Sequence, residues 1–524
     1  MRTNFIYFFS IIFPNSNFTI IFSKKQPRKC FPSVLLSNYT RKTIEFIVKK
    51  EYSFKYNLLL NIIYFQMKTK MLNTGENKMN KEKMLMTDGC VWKILVRFAF
   101  PLFLGNLFQQ LYNAVDSLVV GNFCGNEALA AVSSSGSLQH LLIGFFQGLF
   151  VGASVSISKY FGAKDQESVD KTIHTTVVFA FFAGILLTIF GVTFTPTILR
   201  WIGTPENVMS ESITYFRIYC MGLLGMVLYN TSNGIFNALG DSRHPLMYLI
   251  ISSVTNAILD LLFVGVFHMG VAGAALATTM GQVLSAILGM LHLMSGKFII
   301  QIKLSKLHVD KKVLKEVFHL GLPSGIQNSV NAIANLVVQS NINAFGDLAM
   351  GGCGSYAKIE GFVFLPIMSM SLALTTFVGQ NMGAGKTQRV KTGFRQGLAI
   401  TLVMAELFGA FVFLTAPILV GLFSKDAAVI AYGVRQARVE ALFYFLLATT
   451  HICAGTLRGT GQTMFPMLVT LGAWCILRIF YIEFFVRIFQ NINVVFTAYP
   501  VTWAVSTICL LCFLKLKLDK PIQK

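Results

Sequence analysis

Two carboxylates stand inside segments otherwise built from apolar residues. Asp116 follows Tyr112-Asn113-Ala114-Val115, and Asp260 closes the run Asn256-Ala257-Ile258-Leu259-Asp260. A carboxylate at the centre of a bilayer costs at least about 2.5 kcal/mol, so an intramembrane acid is a functional candidate by default. Asn256 and Asp260 are four apart and share one helix face. Two carboxylates and an amide converging in a low-dielectric pocket would hold Na+ through hard oxygen ligands, Asp116 and Asp260 supplying the charge, or would share a proton. The bland alternative leaves Asp116 at the outer interface and pairs Asp260 with an amide.

Amides accompany the acids. Gln327, Asn331, Asn335, Gln339 and Asn343 recur every four residues, and Asn106, Gln109, Gln110 and Asn113 lead into Asp116. So many amides cannot face lipid, so these faces are expected to line a cleft; hydrogen bonding between helices is the other use for them. Glu483 and Arg487 are spaced to neutralise each other within one helix. Lys358 and Glu360, at what reads as a helix start, are expected to find partners on neighbouring helices. Glu406 and Glu440 stand as candidates for a second proton site, and His451 reads as a satisfied core histidine. Gly144, Gly148 and Gly152 have the small-xxx-small spacing of close helix packing. Arg217 and Arg478 are cations within spans.

Other chemistries are excluded. Gly383-Ala384-Gly385-Lys386-Thr387 ends like a phosphate-binding loop, but position 380 is Gln where the first glycine must fall, and the segment follows a helix. No His-Glu-x-x-His, no Gly-x-Ser-x-Gly and no Cys/His pair is evident, so no enzyme is expected. The nine cysteines have no framework spacing, and Cys509-x-x-Cys512 lies in an apolar run, so they read as buried small hydrophobes.

These residues need elements to hold them, and composition says which. Of 524 residues 54% are hydrophobic and 13% charged, about half the charge of a soluble domain. A net charge of +21 would suit nucleic acid, but not with 48 Phe spread along the chain. Apolar segments long enough to cross a ~30 Å core repeat at roughly 94–118, 133–157, 172–194, 211–235, 246–267, 271–294, 316–341, 356–379, 394–416, 433–455, 466–489 and 496–514. In lipid these must be helices. From Met79 on, 23 of 31 Lys and Arg fall in alternate loops and the termini, which predicts that both termini are cytoplasmic. A repeat at a constant offset of 221 aligns Gly125 with Gly346, Ala128 with Ala349, Pro196 with Pro417, Arg217 with Arg438, Gly240 with Gly461 and Pro245 with Pro466. Pro101 and Pro323 match with one residue of slippage. The expected fold is an all-α membrane protein of twelve transmembrane helices in two six-helix lobes related by a parallel repeat. The lobes are 79–296 and 315–524, joined by a basic cytoplasmic linker, 297–314. Residues 1–78, with 13 Lys and Arg against 3 acids, differ in composition and read as a disordered or mis-assigned extension, the working start being Met67, Met71 or Met79.

From about Met79 to its end the chain resembles the multidrug and toxic compound extrusion (MATE) family of cation-coupled antiporters. The residues that carry the resemblance are Pro101 fifteen positions before Asp116, the stretch 109–121 (QQLYNAVDSLVVG), Asn256 to Asp260, and Val271 to Thr278. The resemblance implies a V-shaped pair of lobes that alternate between inward and outward openings. It implies a cation site at Asp116, Asn256, Asp260 and Thr278, with Asn230 a further match, and a helix bend at Pro101. The activity implied is export of amphipathic or cationic drugs in exchange for H+ or Na+, by a monomer in the plasma membrane with no cofactor. Another branch places an acid in the seventh helix, where this chain has only amides. The first half lacks the arginine that often precedes Gly240, whereas Arg458-Gly459 keeps such a pair. The alternative is a flippase for lipid-linked oligosaccharides, which would want a more basic cleft than Arg217 and Arg478 provide.

Overall fold

Apolar runs in lipid satisfy their backbone groups only within themselves, and the chain folds accordingly. The computed structural model describes residues 85–296 and 298–519, all within one compact unit, Lys78–Lys524. The expectations for residues 1–78, including the start positions, lie outside the described residues. The first half comprises α1 (Val91–Phe123), α2 (Gly125–Gly162), α3 (Gln166–Trp201), α4 (Glu206–Met221), α5 (Leu223–Ala238), α6 (Arg243–Asp260) and α7 (Gly270–Met294). The second comprises α8 (Lys311–Asn343), α9 (Asp347–Gly383), α10 (Thr387–Gly421), α11 (Ala427–Ala441), α12 (Tyr444–Gly459), α13 (Met464–Thr470), α14 (Arg478–Phe489) and α15 (Asn493–Asp519). Short π-helical turns, Leu261–Val266 and Leu471–Leu477, extend α6 and join α13 to α14. No strand occurs among the described residues.

Nine helical stretches among the described residues are long and apolar enough to cross a bilayer, and eleven when each of two bent pairs counts as one span. The pairs are α4/α5, bent by 47°, and α11/α12, bent by 56°. The twelfth stretch is α8, whose amides dilute its hydropathy. Helix α9 begins at Asp347, nine residues before the expected 356, because Gly351, Gly352, Gly354 and Ser355 lower hydropathy without breaking the helix. Lys358 and Glu360 therefore sit within α9 and not at its start.

The repeat reappears in backbone geometry. Gly125 and Gly346 both turn with left-handed φ, 90° and 95°, as do Gly240 and Gly461, at 88° and 85°. Left-handed φ strongly favours glycine, so the matched glycines mark matched turns. Lipid-facing surfaces follow the pattern of a membrane bundle, apolar outward: Phe182, Leu186 and Ile189 on α3 and Leu407, Leu414 and Ile418 on α10 are at least 60% exposed.

The lobes meet backbone to backbone along α2. A Cβ on Gly148 would fall 2.2 Å from the Gly325 nitrogen, and one on Gly152 2.3 Å from the Gly321 nitrogen, both on α8. Gly162 of α2 and Gly383 of α9 cross just as closely. The small-residue spacing thus marks the seam between lobes, at the end of the molecule that carries the loop after α2. Gln380 reinforces this end: Oε1 accepts from the Met86 amide (2.8 Å) and Nε2 donates to the Ala238 carbonyl (3.0 Å). The strap before α1 is held by Arg389, which donates to the carbonyls of Met86, Asp88 and Gly89, and by Lys386, whose ammonium holds the Asp88 carboxyl below its usual range.

The connection between lobes packs on the first lobe. Phe298, Ile300 and Ile302 alternate inward beside Ile173, Phe236 and Leu293, each at most 8% exposed. Burying such side chains contributes about 1.5–3 kcal/mol each. Asp310 starts α8 by accepting from the amides of Lys312 and Val313, at 2.8 and 3.1 Å. Asp310→Ala is expected to cost about 1 kcal/mol, read as a lower midpoint in thermal unfolding in detergent, with Asp310→Asn close to the parent.

Candidate functional site

On α1, Gly105, Gln109, Tyr112 and Asp116 recur at helical spacing, and on α6 so do Leu249, Ser252, Asn256 and Asp260. Helix α7 closes against α6 at Gly281, where a Cβ would lie 3.2 Å from the Asn256 Cβ and 3.3 Å from the Ser252 Oγ. That approach lets the Ser252 hydroxyl donate to the Gly281 carbonyl (2.6 Å) and the Asn256 amide donate to the Thr278 hydroxyl (3.4 Å).

Two cavities run through this part of the molecule. The larger, about 250 Å³, lies between the lobes, with Pro101, Asn106, Gln109 and Asn230 on its first-lobe wall and Ser371 and Arg458 on its second-lobe wall. The smaller, about 40 Å³, is bordered by Tyr112, Asn256, Thr278 and Gln282. Gln109, Gln147, Tyr229, Asn230 and Leu249 border both. The smaller volume is enough for a water or a partly dehydrated ion.

The aspartates stand one helical turn beyond the small cavity, Asp116 from Tyr112 and Asp260 from Asn256. Asp116 is 7% exposed and Asp260 fully buried. Each lies within electrostatic range of the other and of Tyr112. Oδ1 of Asp116 and both carboxylate oxygens of Asp260 lack a hydrogen-bond partner. A buried polar atom without a partner is costly, and an anionic one more so. Three such oxygens beside a small polar cavity form an oxygen-only set suited to a proton or Na+. Among the described residues no group of three or more His, Cys, Asp or Glu is placed to hold a metal ion.

Of the residues expected in the cleft, Asn106 and Gln109 border the large cavity, and Asn113, Gln327, Asn331, Asn335 and Gln339 do not. Gln327 donates to Thr470 on α13 (2.9 Å), and Gln339 donates along its own helix to Asn343 (2.8 Å). Asn113 and Asn335 are exposed, and Asn331 keeps an unpartnered oxygen. The stripe divides because α8 rotates past two different neighbours along its length. Asn230 donates to the Met226 carbonyl (2.9 Å), leaving its side-chain oxygen for the cavities.

The remaining charges sort by contact. Arg487 donates to Glu483 (3.2 Å), and Lys358 lies 5.3 Å over the Phe423 ring. Glu406 is exposed. His451 is not fully satisfied: its ring packs against Phe364 and Trp474 and leaves Nε2 unpartnered. Cys90, Cys509 and Cys512 are exposed, not buried, because they fall on outward helix faces or a helix entry.

Sequence reading separated Glu360 from Glu440; the fold joins them. Their carboxyl groups lie within interaction range of each other. Two carboxylates that close repel each other unless a proton lies between them. Glu440 also accepts from Gln436 (2.8 Å) and Tyr356 (3.2 Å), and Arg478 beside the pair donates to Thr502 (2.9 Å). At the repeat offset the first lobe has Gln139 and Tyr219, neutral groups. Nothing in a spacing of 80 residues announces this contact. Glu360→Gln supplies an amide donor in place of the shared proton and is expected to melt near the parent. Glu440→Ala strands the Gln436 amide and takes one of two partners from the Tyr356 hydroxyl, and is expected to cost about 1–3 kcal/mol, measured by thermal unfolding of the purified protein.

A family model described as MatE matches residues 101–262 and 323–482, one match in each half. A probable multidrug resistance protein of Bacillus subtilis, YoeA, is 29% identical over 425 residues, covering 79% of this chain and 92% of the relative. A probable multidrug resistance protein of Thermotoga maritima, NorM, is 26% identical over 73% of this chain and 83% of its own length. Among solved structures, a MOP-superfamily transporter from Pyrococcus furiosus superposes with a TM-score of 0.80 at 23% identity, covering 85% of this chain and 99% of that one. An outward-facing multidrug resistance transporter of the same superfamily superposes at 0.79, with the same identity and coverage.

Proposed function

The chain belongs to the MatE family, and from that premise we propose that it is a secondary antiporter that exports amphipathic compounds in exchange for H+ or Na+. Relatives named for multidrug resistance support drug export as the activity. The observation that carries the coupling mechanism is the set of three unpartnered, buried carboxylate oxygens on Asp116 and Asp260. The cation enters between them, with Asn256, Thr278 and Asn230 supplying neutral oxygens. Neutralising the aspartates changes how α1 packs against α6, and Pro101, which removes one backbone hydrogen bond from α1, is where α1 bends in response.

Because Gln109 and Asn230 border both cavities, movement of α1 reshapes the substrate chamber. Cation and substrate therefore compete, and the inward cation gradient drives export. The basic loops and both termini face the cytoplasm, so the closed seam lies on the cytoplasmic side and the lobes rock about it. A lipid-linked oligosaccharide flippase would need several cations for a pyrophosphate, and the large cavity carries one, Arg458.

Proteoliposomes loaded with a fluorescent amphiphile test the proposal. Efflux is expected under an imposed pH or Na+ gradient and not without one, and the gradient that works identifies the coupling ion. Efflux indifferent to both gradients would sink the antiport reading.

A further inference from the structure

The wall of the large inter-lobe cavity carries amides, hydroxyls and apolar groups, and its single charged side chain is Arg458. No carboxylate borders it. The two aspartates of the coupling site lie beyond the smaller cavity, outside this wall. The charge a substrate meets in the chamber is therefore positive.

Arg458 is held for recognition rather than neutralised. Its Nη2 donates to the Ser371 hydroxyl (3.3 Å), while Nε, buried, has no partner. No carboxylate pairs with it among the described residues. Ser371 is itself fixed: its hydroxyl donates to the His451 carbonyl (2.7 Å), and its own carbonyl accepts from Thr375 (3.0 Å). Arg458 sits in the last turn of α12, where the helix dipole favours a cation. That explains why a cation is tolerated there, and it satisfies none of the free N–H groups. A guanidinium offers five donors in a planar fork that matches a carboxylate. Across the cavity Asn106, Gln109 and Asn328 add neutral polar partners, with Phe150, Leu249 and Met368 as the apolar surface.

We propose that this cavity binds amphipathic substrates that carry a carboxylate, with the carboxylate on Arg458 and the apolar body against Phe150, Leu249 and Met368. The proposal rests on the export reading above and narrows its substrate class from amphipathic compounds at large to anion-bearing amphiphiles, zwitterions included. It also gives the coupling a division of labour: the cation goes to the aspartates and the substrate's anion to the arginine, on opposite lobes.

Fluorescence anisotropy on the purified full chain tests this with rhodamine 110, whose carboxylate is free, and rhodamine 123, its methyl ester. A charge-assisted hydrogen bond predicts that the acid binds about tenfold more tightly than the ester. In Arg458→Gln the acid-to-ester ratio is expected to fall to about one, and Arg458→Lys, which keeps the charge without the fork, is expected between the two. An ester that binds the parent protein as tightly as the acid overturns the proposal, as does a ratio unchanged in Arg458→Gln. The parent comparison needs no variant, so it decides even if Arg458→Gln does not fold. Efflux of both dyes from proteoliposomes is measured in parallel. Preferential binding of the acid with no export of either dye defeats the export reading and leaves this site standing; export of the ester with no preference for the acid does the reverse.

Discussion

Asp260→Asn is expected to bring cation-driven export down to the level of empty liposomes while leaving the protein as stable as the parent, or more so. The two outcomes have one cause. Asp260 is fully buried with neither carboxylate oxygen partnered, and the acid beside it, Asp116, has the same sign. An amide of the same shape removes the charge and keeps a neutral oxygen and a donor, so the fold loses nothing it was using. Removing an uncompensated buried charge is favourable, which offsets the amide's own unpartnered groups and keeps the unfolding midpoint at or above the parent's. Coupling, by contrast, needs a site whose charge changes when a cation binds, and the amide has none. Asp116→Asn is expected to lose export too, with a smaller gain in stability because only one of its oxygens is both buried and unpartnered. Efflux in proteoliposomes and thermal unfolding of the same preparations check both. A variant that exports at the parent rate would remove the aspartates from the mechanism, and one that fails by unfolding would make their role structural.

Gly383→Val is expected to disable export by a different route, leaving the coupling residues untouched. A Cβ at Gly383 would lie 1.8 Å from the Lys159 carbonyl oxygen, and one at Gly162 would lie 1.9 Å from the Gln380 oxygen. Both neighbours are backbone, so no side chain can swing aside. Helices α2 and α9 must separate, and overpacking of this kind costs about 1–3 kcal/mol. The cost falls on the arrangement in which this seam is closed, so the population shifts away from it by about 5- to 150-fold. A cysteine at Ser154, on the cavity wall, reports the shift in a background without native cysteines. A membrane-impermeant thiol reagent added on the side of the basic loops is expected to label it in the Gly383→Val background and not in the parent. Equal labelling in both, with export intact, would show that the crossing of Gly162 and Gly383 is not the gate.

Much of this architecture is legible in the chain because it depends on local spacing. Apolar runs of bilayer length mark the spans, and the 221-residue offset aligns turn glycines that adopt the same left-handed backbone. Periodicity also places Asn256 and Asp260 on one face, a relation set by the 3.6-residue turn alone. Hydropathy misplaced an edge where small residues mimic a break, at the start of α9, while the span 316–341 was legible in α8 despite its amides. The linker's Phe298, Ile300 and Ile302 were masked by the lysines around them.

Relations between helices were of another kind. That Glu360 meets Glu440, that Gln327 of the α8 amide stripe turns to α13 while Asn335 stays exposed, and that Gly148 and Gly152 seal one lobe against the other each depend on the rotation of one helix against another. So does the charge of the substrate chamber: composition shows few acids, but only packing puts both aspartates outside its wall and Arg458 on it. The residue types and their spacing within each helix settled which groups are available for chemistry. Which of them face each other was decided by helix packing, because side chains far apart in sequence meet only where two backbones approach, and that approach is set by the shapes of both.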